Sequence, residues 1–135
     1  MRDDGIGSIR RHVNDCLERI DRFEDRIRAF VTFDRSAVLS QVEGRADWFR
    51  NRPLAGITLG VKDIIDALPY PTECGTRFRR STQPVQDAAV VARLKSAGAV
   101  VFGKTVTTEF AYFAPGPTRN PFDPNRTPGG SSSGS

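Results

Sequence analysis

Residues 87–105, DAAVVARLKSAGAVVFGKT, join a helical pattern directly to a β-strand pattern. Apolar side chains such as Val90 and Leu94 recur at the spacing of one helix face, and Asp87 stands where an N-cap residue would begin the helix. Gly98 follows the last helical position, as a helix-ending glycine does, and the run AVVF after it is typical of a buried strand. The stretch predicts a helix that ends where a strand begins.

A second strand pattern lies upstream of this helix. Residues 55–64, AGITLGVKDI, are apolar on both sides and predict a buried strand with Lys62 at its end. A polar, turn-rich loop separates this strand from the helix. Strand, helix and strand in this order predict a parallel βαβ crossover, so the expected fold class is α/β, with a central sheet covered by helices.

Two helices are expected before the first strand. Apolar residues step by three and four from Ile6 to Phe30, which predicts one long amphipathic helix. Its arginines alternate with acidic residues, so the charges form a solvated surface rather than a phosphate-binding face. Asp34 is the predicted N-cap of a second helix that continues through Ala46 and ends before Pro53.

Composition excludes several classes of function. The chain has 135 residues, 38% of them hydrophobic, a formal charge of +4 and no long run of like charges, so we expect a globular protein without a nucleic-acid partner. One histidine and two distant cysteines predict neither a metal site nor a disulfide framework, and no cofactor is expected. No apolar leader or run of eighteen apolar residues occurs, which favours the cytoplasm over a membrane.

One motif matches a phosphate-binding loop in its letters only. Residues 98–105, GAVVFGKT, have the spacing of a glycine, four residues and Gly-Lys-Thr. In such a loop the four middle residues bend round a phosphate, whereas here they are the predicted strand. Nucleotide binding is therefore not expected.

Lys62 is the first candidate for chemistry. A lysine on an apolar strand must either reach water or be buried with partners, because an unpaired buried ammonium is costly. A neutral amine is a base and can activate a hydroxyl nucleophile. Alternatively, Lys62 pairs with Asp63 or Asp66 at the strand end. Spacing alone leaves both interpretations open.

The C-terminal run PGGSSSGS, residues 128–135, has the composition of a flexible linker. Its context indicates otherwise. The segments PLAGITLGVKDIID, PTECGT, DAAVVARLKSAGAVVFGKTVTTEFA and TRNPFDPNRTPGGSSSGS follow one another in an order and spacing that resemble the N-terminal part of the amidase signature family. The resemblance divides the chain into a helical N-terminal segment, residues 1–52, and the start of an amidase signature domain, residues 53–135, within an α/β/α sandwich.

The resemblance implies a Ser–cis-Ser–Lys mechanism that splits a carboxamide into a carboxylate and ammonia. Lys62 matches the family's lysine and Ser131 its cis-serine, and the backbone of Gly129, Gly130 and Ser132 is expected against the substrate. A serine hydroxyl both donates and accepts, so Ser131 can relay a proton to Lys62. The family's nucleophilic serine falls beyond Ser135, so we expect an N-terminal fragment that is inactive alone.

Other functions remain open at this point. Within the family, the chain also fits the A subunit of a glutamine-dependent aspartyl/glutamyl-tRNA amidotransferase, which passes ammonia to a mischarged tRNA. Outside it, a non-catalytic interaction remnant would bind whatever covers its apolar edges. The expected partner is a small-molecule amide substrate, and the full-length protein is expected to form a homodimer.

Overall fold

A computed structural model describes residues 5–135 and contains four helices and three strands in that range. None of these helices is long and apolar enough to cross a membrane. Two single turns of 3₁₀ helix lie at Arg77–Arg79 and Glu109–Ala111. In chain order the elements are α1 (Gly5–Ile27), β1 (Phe30–Phe33), α2 (Arg35–Ser40), α3 (Ala46–Phe49), β2 (Thr58–Lys62), α4 (Ala89–Ser96) and β3 (Val100–Thr105).

The strands form one mixed sheet in the order β1–β3–β2. β2 and β3 are parallel and are joined through α4, which confirms the predicted βαβ crossover and the α/β class. β1 pairs antiparallel with β3, with Phe30 opposite Thr105. Lys62 lies opposite the same residue, Thr105, from the other side of β3. The end of β3 is thus the place where all three strands meet.

The hydrophobic core lies on both faces of β3, whose six residues are all buried. Val100 and Phe102 pack against the N-terminal helices, with Val13 and Val38 among their neighbours. Val101 points the other way, into a cluster on the side of α4. Successive strand residues face opposite sides, so a strand buried twice reads as a continuous apolar run. Helical layers on both faces are the sandwich arrangement expected for the fold.

The N-terminal helices differ in part from the prediction. α1 forms as expected but ends at Ile27, so the assignment of Phe30 to its apolar stripe was wrong. Asp34 caps α2 as predicted, because its carboxylate accepts from two backbone N–H groups at the helix start. The second helix nevertheless stops at Ser40 and resumes only as α3. Between them, the side chain of Gln41 bonds both the N–H and the carbonyl of one β3 residue, Val101.

Two details of the βαβ unit also differ. Asp87 was wrongly predicted as the N-cap of α4, since that position is Ala88. The Asp87 carboxylate instead pairs with Lys95 at 2.9 Å. β2 was expected to be fully buried, but it lies at one edge of the sheet that residues 5–135 form, so Val61 is buried while Gly60 is exposed.

Candidate active site

Lys62 and Ser131, 69 residues apart in sequence, meet at the end of the sheet. Lys62 is the last residue of β2, and its Nζ lies 2.6 Å from Ser131 Oγ. This is a short hydrogen bond between two partly buried side chains. The peptide bond between Gly130 and Ser131 is cis. Two residue types that can exchange a proton are therefore in direct contact.

Backbone contacts hold the serine-rich tail against the chain that follows β3. The Thr108 N–H donates to the Ser131 carbonyl at 3.0 Å, and the Gly134 N–H donates to the Val106 carbonyl at 2.9 Å. Gly134 approaches so closely that a Cβ there would collide with the Ala29 carbonyl. The tail is a fitted segment rather than a free linker.

The other tail residues that the sequence singled out lie around Ser131. Gly129, Gly130 and Ser132 are exposed. Gly129 has a φ of +92°, a conformation that favours glycine, and no heavy atom lies within 4 Å of the position its Cβ would take. Ser133 is buried and donates from its hydroxyl to the Gly129 carbonyl at 2.9 Å. This bond closes the turn that carries Ser131, a role that sequence reasoning missed.

Asp63 follows Lys62 but does not pair with it. Its carboxylate accepts from Lys104 Nζ at 3.0 Å, and both side chains are almost completely buried. Lys104 belongs to the sequence that resembles a phosphate-binding loop, yet its residues from Val100 onward are strand and its ammonium already has three acceptors. These residues thus form a strand rather than a loop bent round a phosphate.

Sequence reasoning missed the importance of Asp63 and Lys104, although a signal was present. β3 is buried on both of its faces, so a lysine within this apolar run is buried as well. Charged side chains are almost never buried without a partner. The chain offers several acidic residues as that partner, so the pattern alone could not select Asp63.

Comparison with known proteins gives a consistent result. Residues 11–135 match the family model described as Amidase. The A subunit of the glutamyl-tRNA(Gln) amidotransferase of Salinibacter ruber is 39% identical over 98% of this chain, which covers 28% of that relative. The structure of native peptide amidase from Stenotrophomonas maltophilia is 34% identical to this chain, with a TM-score of 0.77. The match covers 94% of this chain and 29% of the peptide amidase chain.

A further structure is described as a vestigial protein complex that reveals the evolutionary origins of an s-triazine catabolic enzyme. It matches this chain with a TM-score of 0.80 and 33% identity. The match covers 96% of this chain and 31% of the chain in that structure. The chain therefore spans little more than a quarter of the relatives' length. A family match over residues 11–135, with similarity in both sequence and fold, means that this chain belongs to the amidase family.

Proposed function

We propose that this chain supplies the base and the relay of an amidase active site that converts a carboxamide into a carboxylate and ammonia. Lys62 is the base and Ser131 the relay. The attacking serine comes from a part of the whole protein beyond Ser135. The observation that carries the proposal is the 2.6 Å contact between Lys62 Nζ and Ser131 Oγ. A nucleophile's base is recognised by such hydrogen-bond reach.

The proton path follows from the chemistry of the two side chains. As the nucleophilic serine attacks the amide carbonyl, Ser131 accepts its proton and donates its own to the neutral amine of Lys62. The relay then runs backwards and protonates the leaving nitrogen, which departs as ammonia. Water attacks the acyl-serine by the same path, which releases the carboxylate and restores the enzyme.

The charges around Lys62 support its role as a base. Within residues 5–135, no carboxylate lies within 4.0 Å of Lys62 Nζ. The adjacent carboxylate, Asp63, is already paired with Lys104. In that part of the chain, Lys62 Nζ is therefore not held by a carboxylate and has Ser131 Oγ in direct contact.

The tail also offers a place for the substrate. Gly129, Gly130 and Ser132 are exposed beside Ser131, and the position that a Gly129 Cβ would take is open, whereas a Cβ at Gly130 would lie 2.8 Å from the Thr108 side chain. We assign these residues to substrate binding, with a small-molecule amide as the substrate. A cytoplasmic location, a homodimeric whole protein and the division into residues 1–52 and 53–135 stay predictions.

A second candidate function uses the same pair of residues. The 39% identity to the A subunit of an amidotransferase, over 98% of the chain, favours a subunit that releases ammonia for transfer to a mischarged tRNA. The two functions differ in what activity requires. A hydrolase releases ammonia from simple amides alone, whereas an amidotransferase subunit needs its partner subunits for full activity.

The test uses the complete protein read from the gene that encodes this chain. Ammonia release from a panel of simple amides is measured for the wild type, Lys62→Ala and Ser131→Ala. Removing either member of such a relay is expected to lower kcat by about 1,000-fold or more. Lys95→Ala and Ser96→Ala are the matched controls, because these residues lie on α4 and their side chains contact Asp87 and the Arg93 carbonyl rather than Lys62 or Ser131. Wild-type kcat in Lys62→Ala would refute the proposal.

A further inference from the structure

A buried ion pair lies directly behind the candidate relay. Asp63 and Lys104 are 3.0 Å apart, with side chains 1% and 0% exposed. Lys104 Nζ also donates to the Pro71 carbonyl at 2.9 Å and to Thr72 Oγ1 at 2.8 Å. A lysine ammonium has three N–H donors, so all of them are used. The charge is therefore completely satisfied inside the protein.

The carboxylate of this pair organises the loop after Pro71. Asp63 accepts from the N–H groups of Glu73 at 3.2 Å and Gly75 at 3.4 Å through its two oxygens. Its main-chain carbonyl accepts from the Cys74 N–H at 2.9 Å. Three consecutive N–H groups thus point at one residue, and the loop wraps around Asp63.

The same network reaches both partners of the relay. Asp63 is covalently next to Lys62, and its N–H donates to the Thr105 carbonyl at 3.0 Å, which fixes the end of β2. On the other side, a Cβ at Gly75 would lie 2.8 Å from the Thr107 carbonyl, so the loop packs tightly on the segment after β3. The next residue of that segment, Thr108, holds the Ser131 carbonyl.

We propose that the ion pair between Asp63 and Lys104 positions Lys62 and Ser131 for proton transfer. The inference rests on the proposed function of that pair. Stability alone does not require such an arrangement, because well-packed apolar residues commonly replace a buried ion pair without loss. Here Asp63 directly follows the strand residue Lys62, and the loop that the pair holds packs on the segment whose Thr108 N–H bonds Ser131.

Three variants of the complete protein separate positioning from stability: Asp63→Asn, Lys104→Met and the double variant. Each single change leaves one buried group without its partner and should lower the melting temperature. The double variant removes both charges and should regain most of that loss. Its kcat is expected to stay about 100-fold low with KM within about threefold of wild type, since a misplacement of about 1 Å costs that much. Recovery of kcat together with the melting temperature would overturn the proposal.

If those variants do not fold, a milder substitution tests the positioning role. Thr72→Val removes one acceptor from Lys104 and keeps the side-chain shape. Thr118→Val is the matched control, because its hydroxyl is also buried but donates to the Arg28 carbonyl. We expect a kcat several-fold lower in Thr72→Val alone, at unchanged KM. Equal kcat values in the two variants would refute positioning.

Lys62→Ala in the same assay distinguishes the two proposals. If Lys62→Ala is inactive while the double variant and Thr72→Val keep wild-type kcat, only the positioning role fails. If Lys62→Ala is active, the proposed function fails, and the positioning role fails with it.

Discussion

Replacing Gly134 by alanine should separate Ser131 from Lys62. Gly134 has a φ outside the left-handed region, so alanine meets no backbone obstacle there. The obstacle is space, because the new Cβ would collide with the Ala29 carbonyl and lie 2.6 Å from the Val106 nitrogen. Both are backbone atoms directly next to strand ends, before β1 and after β3, and cannot rotate away. The tail must move instead.

The size of the effect follows from these distances. An ordinary Cβ contact lies at about 3.5 Å, so the tail must retreat by about 1 Å. The 2.6 Å bond between Lys62 and Ser131 would then lengthen to about 3.6 Å, where no hydrogen bond remains. The tail's two backbone bonds to the segment after β3 are worth about 1 kcal/mol each, so the loss of stability should not exceed about 2 kcal/mol. We expect kcat to fall about 100-fold.

The assay compares the complete protein with Gly134→Ala and with Gly44→Ala. Gly44 has a φ of +65° and open space around it, so its alanine variant suffers backbone strain of about 1 kcal/mol but no collision. Urea denaturation gives the free energy of unfolding, and ammonia release gives kcat. The control should lose some stability and keep its kcat. A Gly134→Ala variant with kcat within about threefold of wild type would refute the reasoning.

Two further predictions concern stability and its dependence on pH. The Ser36 hydroxyl and the Ala37 N–H donate to Asp34 and lower the pKa of its carboxyl below 3.8. The contribution of Asp34 to the free energy of unfolding is therefore present above pH 3.8 and is lost as the pH falls through the pKa of the folded state. Asp34→Ala should unfold more easily in urea at neutral pH, and its difference from wild type should vanish in acid. Burial, with a smaller effect from Asp34, raises the pKa of Tyr70 from 10.0 to about 12. The unfolded chain ionises first, so stability should fall as the pH rises from 10.0 to about 12, and this fall should be smaller in Tyr70→Phe. The difference between the absorbance titrations of the complete wild-type protein and of Tyr70→Phe isolates the ionisation of Tyr70 and checks its pKa directly.

The local residue pattern was sufficient to predict the elements whose signal comes from residues close together in sequence. The three- and four-residue spacing of apolar side chains predicted α1, and Asp34 was a correct N-cap because its partners are the next few residues. The crossover from β2 through α4 to β3 followed from two apolar strands around one amphipathic helix. In each case the signal for an element lies within that element's own residues or directly beside them.

Local pattern failed where a distant partner decides the structure. β1 forms because it pairs with β3, about seventy residues later, and nothing near Phe30 indicates this pairing. The second helix breaks after Ser40, where the side chain of Gln41 turns to β3 and bonds Val101. The prediction of Asp87 as an N-cap was also wrong, because its carboxylate pairs with Lys95 and accepts from the Leu68 N–H, 19 residues earlier, instead of capping the helix start.

The sequence by itself determined the α/β class, the βαβ crossover and the identity of the candidate residues Lys62 and Ser131. It could not determine whether Lys62 pairs with a carboxylate or with a serine, because Asp63 and Asp66 are close to it in sequence whereas Ser131 is 69 residues away. Only the tertiary structure decided this. The fold buries Lys104 at the end of β3, a buried ammonium requires a counter-charge, and Asp63 supplies it. That pairing leaves Lys62 without a carboxylate among residues 5–135 and with the hydroxyl of Ser131 at 2.6 Å.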